Sequence, residues 1–348
     1  LADPDIKSMT FPQLCEAIAA LGEREYRAKQ IFDWIHVKGI ADYDEMSNLP
    51  KILRDTLRKR YPLPLCEIIN KQVSKVDGTI KYLFKLSDGE SIESVSMSYK
   101  YGSTLCVSSQ AGCKLGCVFC ATGAGGFSRN LAPSEMLGQI HAAQKDTEEK
   151  VSRVVLMGMG EPLDNFDNVV RFIELMADSG GLNIGMRNIS LSTCGIVPGI
   201  YRLLEKRIPL TLSVSLHAPN DQIRDILMPV NKRYPIDSLL EACAKYARIT
   251  SRRISFEYAL FKGVNDSEDY AKQLSGILKG MLCHVNLIPC SKVSGSIYTG
   301  SSREVIERFS SVLNKSGITA TIRRSLGKDI DAACGQLRGR ITESLKNP

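Results

Sequence analysis

From residue 104 onward, short apolar β-rich runs recur with helical stretches between them, at residues 104–109, 153–157, 189–193, 210–215, 254–260, 284–288 and 318–323. Strand, helix, strand is thus repeated six times, and few architectures accommodate that pattern. Strands that are apolar along their whole length must be covered on both faces. This implies parallel pairing with crossover helices, hence an α/β barrel or an open sheet. Ligands of such sheets bind beyond the carboxyl ends of the strands, so the residues just after each run are where chemistry is to be sought.

The preceding part reads differently. Phe11, Leu14, Ile18 and Leu21 recur at helical spacing up to Gly22, and Ile31, Trp34 and Ile35 mark a second helix ending at Gly39. Residues 1–65 are expected to form a small helical accessory domain. From about residue 68 to residue 97 the period changes to two: Ile80, Tyr82, Phe84 and Leu86 alternate with Thr79, Lys81, Leu83 and Lys85. Asp77-Gly78 and Asp88-Gly89 flank that strand as hairpin turns. Residues 66–100 therefore read as a β-meander linking the helical part to the α/β part, residues 101–348.

With 43% hydrophobic and 24% charged residues in 348, the chain can bury a sizeable core. No run approaches the roughly 20 apolar residues that span a bilayer, and residues 1–10 lack the pattern of a secretory signal, so no membrane association and a cytoplasmic location are expected. The net charge of +7 permits a polyanionic partner without demanding one. Its distribution is uneven: residues 315–348 hold seven Lys/Arg against three acids, and Lys51, Arg54, Arg58, Lys59 and Arg60 form a second basic cluster. Eleven cysteines in a reducing compartment favour metal or thiol chemistry over a disulfide framework. Cys15, Cys66 and Cys243 lie in apolar surroundings and read as ordinary buried thiols.

Just after the first of the strand runs comes Cys113-Lys114-Leu115-Gly116-Cys117-Val118-Phe119-Cys120, a C-x3-C-x2-C spacing followed by a glycine-rich stretch, residues 122–126. Three thiolates on one short loop can ligate three irons of a cubane [4Fe-4S] cluster. The fourth iron stays open to the amino and carboxylate groups of S-adenosylmethionine. A zinc site would want a fourth Cys or His in a comparable knuckle, and none is near in sequence. The spacing therefore points to a radical-SAM enzyme.

Four further stretches narrow this: Leu105-Cys106-Val107-Ser108-Ser109-Gln110, Gly158-Met159-Gly160-Glu161-Pro162, Ser215-Leu216-His217-Ala218-Pro219-Asn220-Asp221, and Ile330-Asp331-Ala332-Ala333-Cys334-Gly335-Gln336-Leu337. Together they resemble the RlmN/Cfr family of RNA adenine methyltransferases, over nearly the whole chain. The resemblance implies a radical-SAM partial (β/α)6 barrel with a small N-terminal helical domain and a β-hairpin linker. It implies two molecules of S-adenosylmethionine per turnover. One methylates Cys334; the other is cleaved at the cluster, and the radical so formed takes a hydrogen from the methylated sulfur. The resulting carbon radical adds to adenine. Cys106 would then help remove the ring proton and resolve the protein-RNA adduct as a transient disulfide with Cys334. Glu93 matches the family's proposed proton acceptor. Gly160, Glu161, Ser192, Ser215, Leu216 and His217 match cofactor-contacting positions. Where the family usually has an asparagine after its Asn-Leu-Ile-Pro strand, here Asn286-Leu287-Ile288-Pro289, this chain carries Ser291.

Within that family one branch methylates carbon 2 of an adenine in 23S rRNA, often also in tRNA, and the other methylates carbon 8 and confers antibiotic resistance. Glu161-Pro162-Leu163 and His217-Ala218-Pro219-Asn220-Asp221 look like the carbon 2 branch, whereas Thr250-Ser251-Arg252-Arg253 resembles a segment of the resistance enzymes. A monomer that draws electrons from an external donor such as flavodoxin is the expectation. Two rival readings stand beside it: an RNA-binding protein whose cluster serves folding or redox sensing, and a radical-SAM enzyme of small metabolites or peptides. The first has no need of Cys106 and Cys334. The second has none for the helical domain and the basic segments.

Overall fold

The computed structural model describes residues 5–64, 66–290, 297–333 and 335–337. The N-terminal part folds into α1 (Phe11–Ala19), α2 (Glu25–Phe32) and α3 (Lys51–Arg60). Thr10 caps α1, its backbone N–H donating to the Gln13 side chain at 3.1 Å, and Leu14 and Ile18 form the buried face. The helix stops short of Gly22, whose φ of 78° reverses the chain. In α3, Leu53 and Leu57 point inward while the basic residues face out. That basic cluster is partly neutralised: Arg58 alone pairs with Asp42, Asp44 and Asp55 within 3.0 Å.

The meander follows as β1 (Cys66–Val73), β2 (Ile80–Leu86) and β3 (Ser91–Tyr99), with Gly78 and Gly89 at φ 74° and 89° in the two turns. Next come β4 (Gly102–Cys106), β5 (Gln110–Gly112), α4 (Ala121–Ala124), β6 (Phe127–Asn130) and α5 (Pro133–Thr147). Strands and helices then alternate, with two helices between the third and fourth of these strands: β7 (Val151–Leu156), α6 (Phe166–Ala177), β8 (Ile189–Thr193), α7 (Val197–Glu205), β9 (Thr211–Ser215), α8 (Asp221–Leu227), α9 (Ile236–Thr250) and β10 (Ile254–Leu260). The chain closes with α10 (Glu268–Leu278), β11 (Cys283–Pro289), α11 (Arg303–Lys315) and β12 (Ala320–Ile322).

Strands β4, β7, β8, β9, β10, β11 and β12 pair in parallel in that order, and the intervening helices cover the outside. The fold is thus the partial α/β barrel that the strand spacing implies. The same sheet continues past β4 into the antiparallel β3, β2 and β1, giving ten strands among the described residues, with β1 and β12 outermost of these. The first strand run ends at Cys106 rather than residue 109, because the chain leaves the sheet there and returns as the separate β5–β6 ribbon.

The helical domain is fastened to the barrel through α5. Ser134 donates from its backbone to Ser8 Oγ at 3.1 Å and from its hydroxyl to Asp5 at 2.9 Å. His141 Nε2 lies 3.2 Å from the His36 carbonyl oxygen, and a Cβ on Gly39 would stand 2.7 Å from the His141 ring, so only glycine permits this approach. No helix among the described residues is long and apolar enough to cross a membrane.

Candidate active site in the barrel mouth

The three-cysteine loop is built on the β5–β6 ribbon. Gln110–Gly112 pairs with Phe127–Asn130, and Cys113 N–H donates to the Gly126 carbonyl at 2.8 Å, so the 12 residues between are clasped at their base. Inside the loop, Cys120 N–H reaches the Cys117 carbonyl at 3.1 Å and α4 begins at the next residue. Val118 N–H donates to the Leu227 carbonyl, fixing the loop to α8 on the far side of the barrel.

The glycines of the Gly158-to-Pro162 stretch have a packing reason. After β7 the chain runs hard against the segment leaving β4: a Cβ on Gly158 would lie 2.6 Å from Ser108 Oγ, and one on Gly160 would lie 2.5 Å from Gln110 Cβ, at a φ of 99°. Ser108 and Gln110 then stitch the two segments together. Ser108 Oγ accepts from Met159 N–H at 2.8 Å and donates to the Glu93 carbonyl at 2.6 Å; Gln110 Oε1 accepts from Glu161 N–H at 2.8 Å.

Glu161 is buried, and its carboxylate accepts from Cys194 N–H at 2.7 Å and Leu163 N–H at 3.1 Å. It therefore ties the end of β7 to the end of β8. Burial pushes its acidity down, that is, its pKa up, against the pull of these bonds. His217 follows β9 in a left-handed conformation, φ 55°, with Nδ1 accepting from Ala259 N–H at 2.9 Å. That bond assigns the proton to Nε2. Burial and, less, the Arg224 charge hold its pKa down at about 3.

His36 and His141 are held low in the same way, at about 3 and about 4, chiefly by burial. A pKa below the unfolded value of about 6.5 means that unfolding takes up these protons, so the three histidines weaken the fold as pH falls from 6.5 toward 4. Raised carboxyls such as Glu257 and Asp5 act in the opposite sense. The individual rings are therefore the readout. In histidine-labelled protein, NMR is expected to find His36, His141 and His217 neutral down to pH 5; a midpoint near 6.5 for His217 would contradict the buried, single-tautomer ring.

A cavity of about 240 Å³ occupies the barrel mouth and interior. Its wall brings together Cys106, Cys113, Cys117, Cys120, Gly160, Glu161, Ser192, Ser215 and His217. Leu216 instead packs in the core, fully buried, its N–H donating to the Glu257 carbonyl. Glu93 is buried on the same face of β3 as the wall residues Val95 and Met97, and faces Lys81 Nζ at 3.9 Å. Cys334 and Ser291 lie outside the described residues, but Ala333, Gly335 and Cys290 beside them line the cavity.

Residues not singled out from sequence also face this space: Glu257, whose carboxylate stands 3.8 Å from Arg323, and Arg324, Phe119 and Phe261. The arginine pair was visible only as part of a basic C-terminal segment. Glu257 sits mid-strand, where a glutamate gives no signal of its own.

The three loop cysteines fit a cubane. They share one cavity wall on one loop, and burial pushes the Cys113 thiol up to about 11 and Cys117 further, the latter against the pull of the Arg224 charge. Among the described residues no three His, Cys, Asp or Glu side chains converge on one point. A cubane does not ask for convergence, since each thiolate takes a different iron.

Comparison with known proteins agrees with this reading. The Radical SAM superfamily profile matches residues 107–274, and a profile described as "Ribosomal RNA large subunit methyltransferase N-terminal domain" matches residues 5–62. A protein of Lachnospira eligens named "Probable dual-specificity RNA methyltransferase RlmN" is 49% identical over 98% of this chain and 97% of its own length. One of Clostridium tetani with the same name is 51% identical over 92% of each. A crystal structure of a radical SAM methyltransferase from Sphaerobacter thermophilus superposes with a TM-score of 0.92 at 45% identity, covering 96% of this chain and 99% of that one. With a matching barrel, a matching helical domain and full-length relatives near half identity, the chain belongs to the RlmN family of radical-SAM RNA methyltransferases.

Proposed function

We propose that the chain methylates carbon 2 of an adenine in 23S rRNA, and of an adenine in tRNA, consuming two molecules of S-adenosylmethionine per methyl group through a methylated Cys334. What carries the reading is that one cavity holds the three-cysteine loop, Cys106 and both neighbours of Cys334. Bound at Cys113, Cys117 and Cys120, the [4Fe-4S] cluster and S-adenosylmethionine supply reductive, one-electron chemistry that the side chains cannot. The chain does the rest. Glu161, Ser192, Ser215 and His217 shape the wall against which the cofactor lies, with His217 Nε2–H as a fixed donor. The core-packed Leu216 contributes only through its backbone. By sequence position, Ser291 takes the cofactor-contacting place where the family has asparagine. Cys106, at the end of β4, helps remove the ring proton and then, as a thiolate, attacks the Cys334 sulfur, so that a disulfide forms as the S–CH2 bond to the base breaks and the electron pair and a proton go to the new methyl carbon; Glu93 beside Lys81 is the alternative proton acceptor.

To enter a barrel an internal adenine must be unpaired or flipped, which costs least in loops and bulges. Arg323 and Arg324 in the cavity wall suit the phosphates that come with it. An external electron donor of the flavodoxin type completes the reaction.

The test is anaerobic turnover of reconstituted protein on ribosomal RNA and tRNA fragments with labelled S-adenosylmethionine, the modified nucleoside being identified by mass spectrometry. 2-Methyladenosine is expected from wild type and none from Cys334→Ala. 8-Methyladenosine would overturn the carbon 2 assignment. Equal methylation by Cys334→Ala would overturn the cysteine route.

A further inference from the structure

The geometry points to the β1–β2 turn as a latch that positions the Cys334 segment, with Asp77 and Asp329 as its positioning residues. This rests on the proposed role of Cys334 and adds to it a device that fixes the residues flanking it in sequence.

Residues 327–333 form no strand, only a single helical turn at Lys328–Ile330. Nothing in regular secondary structure holds them in place. Among the described residues four hydrogen bonds do, each joining residues at least 250 apart in sequence. Ser74 Oγ donates to Asp329 Oδ1 at 2.7 Å and Lys75 N–H to Asp329 Oδ2 at 2.9 Å, so that carboxylate is gripped at both oxygens. Gly327 N–H donates to Asp77 Oδ2 at 2.9 Å, the reciprocal contact. Lys81 Nζ, paired with Glu93, reaches the Asp331 carbonyl at 3.4 Å.

The backbone is shaped for this docking. Gly327 and Asp331 both have positive φ, 61° and 50°, and a Cβ on Gly327 would lie 2.7 Å from Ala332 Cβ and 3.1 Å from Thr79 Cγ2. The segment folds back on itself and against the turn as closely as glycine allows.

A second mount lies on the other side of Cys334. The Gly335 carbonyl accepts from Ala121 N–H at 2.8 Å, and the Leu337 carbonyl from Thr122 Oγ1 at 3.1 Å. Ala121 directly follows Cys120. Residue 334 is therefore spanned by one anchor on the meander and one on the cluster loop. The meander, which pairs with the barrel edge at β4, thereby acquires a task beyond linking domains. Misplacement of a reacting group by about 1 Å can cost on the order of 10²-fold in rate, so the anchors bear on transfer rather than on cofactor cleavage, which happens at the loop.

The test uses reconstituted holoenzyme and compares wild type with Asp329→Ala, Asp77→Ala, their double variant and Asp329→Asn, whose side-chain carbonyl still accepts one bond. Hydrogen-deuterium exchange is read on peptides covering residues 325–337, and methylated adenine is counted per cofactor cleaved. In the alanine variants exchange is expected to quicken in those peptides alone. Methylation per cleavage should fall by roughly 10²-fold, total cleavage should stay within about threefold, and Asp329→Asn should recover part of the loss. Unchanged exchange in the double variant would overturn the latch, as would quickened exchange with coupling intact. Failure of the underlying reading is separate: Cys334→Ala would still methylate RNA, whatever the exchange result.

Discussion

Alanine at any one of Cys113, Cys117 or Cys120 is expected to lower RNA methylation by at least about 10⁴-fold, the scale on which removal of one member of a catalytic unit falls. The three thiolates act together, so a second substitution should add almost nothing. Iron retained after reconstitution should drop in parallel, and reductive cleavage of S-adenosylmethionine should be lost with it. The informative control is Cys194→Ala. That thiol lines the same cavity and is more deeply buried than the loop cysteines, but it belongs to the end of β8 rather than to the loop, and its backbone N–H, which survives the substitution, holds Glu161. Activity of that variant should fall by less than about tenfold, being a loss of one sulfur contact to Glu161. Methylation above about one per cent of wild type in any loop variant would separate the cluster from the reaction.

The contrast between these cysteines shows what the sequence could tell. Spacing is a local property. The C-x3-C-x2-C loop, the period-two meander and the repeated strand runs are all written within a few residues, and the structure realises each of them. The motifs after the strands were legible as places, since a parallel barrel gathers its strand ends, but not as jobs. The glycines at 158 and 160 answer a close backbone approach to Ser108 and Gln110, a contact across 50 residues that no local pattern announces. Lys81 alternates with Tyr82 as a solvent residue would, yet it is buried, because the far face of β2 is covered by Glu93 on β3 and by the C-terminal segment. Long-range partners of this kind are fixed only by the fold.

Arg224 is the clearest instance, and its replacement carries the largest expected stability effect. In sequence it is one more charge in the short polar helix α8, beside Asp221, Gln222 and Asp225. In the structure it is completely buried. Its guanidinium donates to Leu216 O at 3.1 Å, Ser215 O at 3.1 Å, Cys194 O at 2.6 Å and Asn231 Oδ1 at 2.8 Å, so one side chain joins the ends of β8 and β9. Those ends carry the wall residues Ser192, Ser215 and His217. Burial draws the guanidinium's pKa down, opposed by the Cys194 and Cys117 sulfurs nearby, which places a cation behind the cluster loop. Removing it leaves buried acceptors unpaired at about 1–3 kcal/mol each, so Arg224→Met should destabilise the protein by roughly 3–5 kcal/mol in denaturant titration. Arg224→Lys keeps the charge but not the planar fork that reaches four acceptors at once, and should retain about half of the stability that Met forfeits. Because the lysine variant folds, it also isolates the effect on the site. Its methylation rate should fall further than its stability alone explains, as the strand ends lose their common tie. A shift below about 1 kcal/mol in Arg224→Met would mean that other contacts hold β8 and β9 together and that the arginine is incidental.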